Sequence, residues 1–383
     1  MASGCNIKIT IQDLKNQLLK GSTFIDVRAP VEFVQGHLPG AVNAPILNDL
    51  ERARIGTTYR HEGQDAAVRL GYQLISGAVK EGRLQCWMQI LTQHPESIVY
   101  CFRGGKRSQI TQQWLKEAGW DVPLIQGGYK ASRQFLTEEL DALSRGREMI
   151  AVSGPTGSGK TLLLQEVKTF YPAVNLEQLA SHRGSAFGSY LERAQPSQAD
   201  FENQLALQLM YLHRDSPRRS PLLVEDESRL IGRLYQPASF FESLREAPLI
   251  WLEEPLAQRV ENIYEEYVLK TPLGLGGEKA FRCAEEREIL WRQAVAVFEK
   301  YKSSLRSLHR KLGGQRSLEI MQDMERAEAE FFVSGDLLGN KIWIEKLLKY
   351  YYDPLYQNSL ERRQVRIIFH GNRQEALQYI KSL

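Results

Sequence analysis

The stretch "EMIAVSGPTGSGKTLLLQEV", Glu148–Val167, joins a buried-strand pattern, a glycine-rich loop and an apolar helical run. Gly154 to Thr161 fits the phosphate-binding loop pattern GxxxxGK[ST]. A strand before that loop and a helix after it let backbone N–H groups and the helix N-terminus converge on phosphate oxygens. Gly154, Pro155, Thr156, Gly157, Ser158 and Gly159 form the cradle, Lys160 is placed to reach the terminal phosphate, and Thr161 to hold a magnesium ion. The plainer alternative is a glycine turn with an incidental lysine, and the flanking strand and helix weigh against it. The loop says that a phosphorylated ligand binds and leaves open which one.

Further along, "PLLVEDESRLIG" places Glu225 and Asp226 at the end of an apolar run, where an acidic partner orients magnesium or its water shell. Thr161 and Asp226 are the candidate metal ligands; a solvated acidic loop is the alternative. "APLIWLEE" and "RRQVRIIFHG" read as further strands of the same sheet, and the region from about 255 to 352 reads as long helices inserted before the last strand. No NKxD-type guanine-reading motif follows the loop, which argues against a GTPase.

Before Glu148 the pattern also alternates strand and helix. "STFIDVRA" and "SIVYCF" read as strands, "SQITQQWLKEAGW" as a helix with Ser108 as N-cap and Gly119 as its stop, and "PLIQGGY" as a strand before a last helix. "RLGYQLISGAVKEGRLQCWMQILTQ" carries apolar residues at helical spacing. The expected organisation is two α/β domains, 1–145 and 146–383, within the two to three that 383 residues allow.

Composition excludes several classes. With 43% hydrophobic and 25% charged residues the chain has material for buried cores and no signature of disorder. Its apolar runs fall far short of the roughly 20 residues that cross a bilayer, and its start lacks the apolar core of a signal peptide. No membrane partner is indicated, and the cytoplasm is the expected compartment. The four cysteines, Cys5, Cys86, Cys101 and Cys283, show neither CxxC nor zinc-ligand spacing, so no structural metal is expected. A net charge of +3 neither requires nor excludes a nucleic-acid partner.

One cysteine stands apart. In "VYCFRGGKRS", Val99–Ser108, Cys101 ends a strand and precedes a helix N-terminus, among Arg103, Gly104, Gly105, Lys106, Arg107 and Ser108. Convergent N–H groups and basic neighbours favour a thiolate, and the two glycines let the backbone curl around a second chalcogen on the sulfur. A buried structural cysteine is the bland alternative, and it is the reading for Cys5, Cys86 and Cys283. Two further segments are candidates for contacting phosphate or nucleic acid. "SHRGSAFGS" combines His182, Arg183, Gly184 and Ser185, against a polar surface turn. "KYKSSLRSLHRKLGGQR" clusters Lys302, Arg306, Arg310 and Lys311 on a helix flank as a candidate nucleic-acid phosphate track, against a solvated amphipathic face. Tyr350, Tyr351 and Tyr352 offer stacking surfaces, with a half-buried aromatic cluster the simpler reading.

"DVRAPVEFVQGHLPGAVNAP", the Cys-x5-Ser loop "CFRGGKRS" and "QGGYKA" resemble a rhodanese domain, in which Cys101 matches the catalytic cysteine and Asp26 and Arg28 match scaffold residues. Over nearly its full length, through "HEGQDAAVRLG", "GPTGSGKTLLL", "HRGSAFG", "EDESRLIG" and "YYDPLY", the chain resembles the bacterial tRNA 2-selenouridine synthases. That resemblance implies a transferase acting on tRNA with 2-thiouridine at the wobble position. The sulfur is geranylated by geranyl diphosphate, and the S-geranyl group is then replaced by selenium from selenophosphate, for which a selenophosphate-supplying enzyme is a partner. The division expected from the residues gives geranyl diphosphate and magnesium to the Lys160 loop and selenium to Cys101. A rhodanese-type sulfurtransferase fused to a P-loop kinase and a noncatalytic tRNA-binding protein are the alternatives.

Overall fold

The computed structural model describes residues 7–215, 220–275, 284–362 and 366–383; Cys5 and Cys283 lie outside them. The chain divides into two compact units, Met1–Ser144 with Pro196–Asp215, and Arg145–Gln195 with Ser216–Leu383.

The first unit is built on five short parallel strands: β1 (Lys8–Ile9), β2 (Phe24–Asp26), β3 (Ala41–Asn43), β4 (Ile98–Tyr100) and β5 (Leu124–Ile125). Their order is β1-β5-β4-β2-β3, and every residue of β2 and β4 is buried, as helix-covered parallel strands require. Ile25, Val27, Val99, Trp87, Trp114 and Leu115 pack into one core, where the Trp87 indole N–H donates to the Ala44 carbonyl at 2.8 Å. The long helical run of the sequence is two helices, Gln64–Leu74 and Gly77–Gln93, because Ile75 and Ser76 leave helical geometry and Gly77 opens the second helix with a left-handed φ of 51°.

Beneath the end of β2 lies a buried ion pair. Arg28 Nη2 donates to Asp26 Oδ2 at 2.6 Å and Nε to Oδ1 at 3.0 Å, while the guanidinium lies 4.0 Å from the Tyr129 ring centre. The Asn43 amide ties down the carbonyls of both residues.

The segment 196–215, assigned by the sequence boundary to the second domain, belongs to this first unit. Its helix Gln198–Asp215 is held through backbone groups that no pattern announces. The His37 N–H donates to Asp200 at 2.8 Å, Asn203 donates to the His37 carbonyl at 2.7 Å, and the Tyr211 hydroxyl donates to the Leu18 carbonyl at 3.0 Å.

In the second unit, β6 (Met149–Ser153), β7 (Ala173–Val174) and β8 (Leu222–Glu225) precede a small hairpin, β9 (Leu230–Ile231) and β10 (Leu234–Tyr235). Next come β11 (Leu249–Leu252) and β12 (Ile367–Gly371). The main sheet is parallel in the order β12-β11-β6-β8-β7, so the phosphate loop leaves the central strand and β12 returns beside β11 as expected. Between β11 and β12 stand the helices Leu256–Tyr264, Ala284–Leu312, Gly314–Ser334 and Asn340–Leu347, with π-helical turns at Glu265–Leu269 and Leu348–Tyr352. They share their own core of Tyr264, Phe298, Tyr301, Leu305, Met324 and Trp343. Among the described residues, no helix is long and apolar enough to cross a membrane.

Removing one partner of a buried ion pair leaves an uncompensated charge. Asp26→Ala is therefore expected to destabilise the protein by about 3–5 kcal/mol, read as a lowered urea midpoint; a midpoint equal to that of the unmodified protein would refute a supporting role for the pair.

Candidate active site

Cys101 follows directly on β4 and is buried, with 3% of its surface exposed. Its Sγ lies 3.1 Å from Ser108 Oγ and 4.0 Å from the Gly105 carbonyl oxygen. Gly104 makes the turn with a left-handed φ of 66°. Gly128 lets the next loop close in: a Cβ there would stand 2.3 Å from the Cys101 carbonyl oxygen and 2.6 Å from the Gly104 nitrogen. The Tyr129 and Lys130 N–H groups donate to the Cys101 and Phe102 carbonyls, fixing "QGGY" against the cysteine loop.

Two expectations need correction here. The cap of the helix Lys106–Glu117 is Gly105, not Ser108; the helix begins once Gly104 has turned the chain, so Ser108 falls in its first turn. From there its hydroxyl donates to the Gly105 carbonyl at 3.1 Å and faces the sulfur. Arg107 is committed to Glu32 at 2.6 Å, which also takes Arg52 at 3.0 Å, while Arg103 and Lys106 are exposed. Cys86 is exposed in the helix Gly77–Gln93.

The phosphate loop runs from β6 into the helix Lys160–Val167. Gly154, Gly157 and Gly159 all take positive φ. A Cβ on Gly154 would meet the Leu252 carbonyl oxygen at 2.5 Å, and one on Gly157 the Arg259 carbonyl oxygen at 2.8 Å. The loop carbonyls are held from outside: Arg259 Nε donates to Thr156 at 2.8 Å and the Asn262 amide to Gly157 at 2.8 Å. The sequence marks neither residue, since they stand one helical turn apart on Leu256–Tyr264, a spacing without a motif. Lys160 Nζ donates to the Gly154 carbonyl at 2.8 Å and sits 5.3 Å from the Tyr356 ring centre. The Ser158 hydroxyl is buried without a hydrogen-bond partner.

Around Lys160 the acids differ from those expected. Thr161 Oγ1 donates to Glu177 Oε2 at 2.8 Å, and the Glu177 N–H donates to Glu225 Oε2 at 3.1 Å. Asp226 instead accepts from Ser153 Oγ at 2.7 Å. Burial, reinforced by the Glu177 charge, pushes the Glu225 carboxyl up to about 8, and burial likewise raises Glu177 and Glu227. For Lys160 burial works against the charge, but Tyr356, Glu227, Glu177 and Glu225 outweigh it and hold the amine above the ordinary lysine range.

The loop 182–185 lines the same cavity. Arg183 donates to Glu266 at 2.9 Å between the rings of Tyr190 and Tyr267, and Ser185 bonds the Tyr267 hydroxyl at 2.9 Å. Gly184 is closely covered by Glu227: an added Cβ would lie 2.6 Å from its Oε2. His182 is buried, and burial together with the charges of Lys300 and Arg183 keeps its imidazole below the usual range.

Of the helix-flank cations, Lys302 is withdrawn: it is 9% exposed and paired with Glu299 and Glu328. Leu305 and Leu308 turn that face inward, so the cluster divides around the helix. Arg306 and Arg310 are exposed, and Lys311 lies on the cavity rim, 6.0 Å from the Tyr351 ring centre. Tyr351 is buried and Tyr350 and Tyr352 are half-buried; Tyr351 and Tyr352 line the cavity. Among the described residues, no group of three or more His, Cys, Asp or Glu side chains is arranged to hold a metal ion.

A cysteine in a glycine cradle and a phosphate loop with buried acids define a rhodanese-like domain fused to a P-loop domain. Family models agree: a rhodanese-like domain matches residues 10–134, and the tRNA 2-selenouridine synthase AAA domain matches 147–383. The tRNA 2-selenouridine synthase of Nitrosomonas europaea is 50% identical, covering 98% of this chain and 99% of its own. That of Bdellovibrio bacteriovorus is 52% identical over 97% of each chain, and that of Shewanella loihica 44% identical over 95% and 94%. The chain belongs to the tRNA 2-selenouridine synthase family, and is thus a tRNA-modifying enzyme.

The buried Glu225 gives this site a pH signature. Its carboxyl holds a proton more tightly in the folded chain than at its ordinary 4.5, so the stability it contributes is full below about pH 4.5 and lost as pH rises through about 8. Unfolding free energy is expected to fall across that window by up to ~1.4 kcal/mol per pH unit for one proton. Glu225→Gln should flatten the slope in denaturant titrations, and an unchanged slope would refute the assignment.

Proposed function

We infer that the chain converts 2-thiouridine in tRNA to 2-selenouridine in two steps, alkylation at the phosphate loop and selenium exchange at Cys101. The observation that carries this division is the cavity of the second unit. It begins at Lys160 and Thr161 and continues along Leu308, Tyr352, Leu355 and Tyr356, with a volume of about 1370 Å³. A cradle for a diphosphate thus opens onto an aromatic and aliphatic wall, the two halves of geranyl diphosphate. The volume exceeds the ~300–1,000 Å³ of common small-molecule sites, which leaves room for a base to enter beside the chain.

In the first step the thiocarbonyl sulfur attacks the allylic carbon of geranyl diphosphate, the carbon–oxygen bond breaks, diphosphate departs and the base loses its N3 proton. Lys160 and the loop N–H groups hold the departing diphosphate, where charge develops. Thr161 and the buried acids beside it fit a magnesium ion, which when bound neutralises diphosphate charge; the unpartnered, buried Glu225 Oε1 is the sign of that fit. Tyr356 and its neighbours exclude water from the allylic carbon, so the thiocarbonyl rather than a hydroxide captures it.

In the second step the selenium of selenophosphate attacks C2, the C2–sulfur bond breaks and the sulfur leaves with its geranyl group, taking a proton to become a thiol, a far better leaving group than the thiocarbonyl sulfur; water then cleaves the selenium–phosphorus bond, phosphate departs and selenium stays on C2. Cys101 sits at the cradle that holds the selenophosphate anion, with the first-turn N–H groups of Lys106, Arg107 and Ser108 free of intrahelical acceptors and available to it. The Ser108 hydroxyl, at 3.1 Å, fixes the direction of the sulfur. Arg306, Arg310 and Lys311 are the cations offered to tRNA phosphates. The His182–Ser185 loop borders the cavity through which the base is presented.

Nucleoside mass spectrometry of 2-thiouridine tRNA incubated with geranyl diphosphate, selenophosphate and magnesium tests the division. Cys101→Ala is expected to accumulate S-geranyl nucleoside, and Lys160→Ala to leave at least 90% of the 2-thiouridine unchanged. Geranylation lost in the cysteine variant and retained in the lysine variant would reverse the assignment.

A further inference from the structure

We propose that an apolar pocket beside the Cys101 loop receives the geranyl group of the S-geranyl intermediate while selenium replaces its sulfur. The proposal rests on the two-step reading above and adds no chemical step to it. It gives the chain a second site, in the first unit, for the second step.

The pocket lies wholly within the first unit and has a volume of about 310 Å³. Ile46, Leu47, Ile55, Val68, Ile110 and Trp114 line it, and of the described residues around it only Lys106 and Arg107 are charged. Its volume stands at the lower end of the ~300–1,000 Å³ of small-molecule sites, and its lining suits an aliphatic chain.

Two routes join the pocket to the sulfur. The helix Lys106–Glu117 opens at the Cys101 loop, and Arg107, Ile110 and Trp114, spaced three and four residues apart, share one stripe of it. Ser108, whose hydroxyl lies 3.1 Å from Cys101 Sγ, is the residue next to that stripe in the first turn. On the sheet side, the Ile46 N–H donates to the Val27 carbonyl at 3.2 Å and the Val27 N–H to the Tyr100 carbonyl at 3.0 Å. Only Val27 therefore separates Ile46 from the strand that leads into Cys101. Ile46, Leu47, Trp114 and Cys101 accordingly belong to one buried cluster.

The opposite wall is made of side chains that the domain leaves partly uncovered. The helix Asp49–Glu62 runs for 14 residues without burying one, and Gln64–Leu74 buries only Ala67. Ile55 and Val68, one from each helix, line the pocket and are half-buried, and Tyr59 and Tyr72 stand beside them largely exposed. Apolar surface that the core does not cover is surface that an aliphatic ligand can bury.

The intermediate supplies that ligand. S-Geranylation puts a large apolar group on an otherwise polar nucleic acid, and displacement at C2 requires the base at Cys101 with its C2–sulfur bond aligned to the incoming selenium. Seating the chain beside the cradle removes it from water and sets the direction in which the sulfur departs. Unalkylated 2-thiouridine has nothing to place in the pocket, so this site favours the intermediate over the starting base.

Selenation of two tRNA substrates by the full chain tests this, with selenophosphate as donor and nucleoside mass spectrometry as readout. One substrate carries S-geranyl-2-thiouridine and the other S-methyl-2-thiouridine. The wild type is expected to favour the geranyl substrate at least tenfold in kcat/KM. Val68→Phe and Ile55→Phe fill the pocket from the wall away from the cradle. Each should lower kcat/KM for the geranyl substrate at least tenfold while keeping that for the methyl substrate, and the geranylation of 2-thiouridine, within threefold of the wild type. A wild type without preference between the substrates, or variants that retain the preference, overturn the proposal. An equal loss on both substrates also overturns it, since the pocket would then be structural. Failure of the wild type to convert the geranyl substrate at all overturns the two-step reading together with it.

Discussion

Arg259 ties together the parts of the second unit that its chemistry needs. Its buried guanidinium donates to the Thr156 carbonyl in the phosphate loop and to Asp353, directly after Tyr350–Tyr352. The loop's three positive-φ glycines add no side-chain contacts of their own, so its shape rests on the Lys160 ammonium that binds the Gly154 carbonyl from within and on the groups that bind its carbonyls from outside. The same contact fixes the tyrosine wall relative to the phosphate cradle, so the helical insertion is part of the site's construction. A lysine could not replace Arg259, since one ammonium lacks the planar fork that serves a carbonyl and a carboxylate together.

Both units place their chemistry at the same point, where a buried parallel strand ends and a helix begins. In each unit a glycine admits a neighbouring segment to that point. Gly128 lets a neighbouring loop pass within contact of Cys101, and Gly154 does the same for β11 against the phosphate loop. The difference lies in what surrounds the helix start: a sulfur and a hydroxyl in one unit, an ammonium and buried carboxylates in the other.

Much of this was legible because strand and loop signals are local. Periodicity and glycines located β4, β6, β8, β11 and β12, and the Cys-x5-Ser and GxxxxGK[ST] spacings placed Cys101 and Lys160 where the backbone presents them. What stayed hidden depends on contacts between distant segments. Glu177 is an isolated acid in "VNLEQLA", and only the pairing of β7 with β8 brings it to Thr161. The helix Gln198–Asp215 lies among second-domain residues in sequence, yet backbone-directed hydrogen bonds give it to the first unit. Lys302 shares a charged run with Arg306 and Arg310, but Glu328 on the next helix, which its ammonium reaches at 2.9 Å, takes it out of reach of a tRNA.

The central claim is that the phosphate loop serves a diphosphate carrying an apolar chain. Calorimetric titration of the full chain with geranyl diphosphate, inorganic pyrophosphate and ATP, each with magnesium, tests it most directly. Geranyl diphosphate should bind at least tenfold more tightly than pyrophosphate, with a negative heat-capacity change from burial of its chain against the tyrosine wall. Equal affinity for the two, or ATP binding more tightly than geranyl diphosphate, would contradict it.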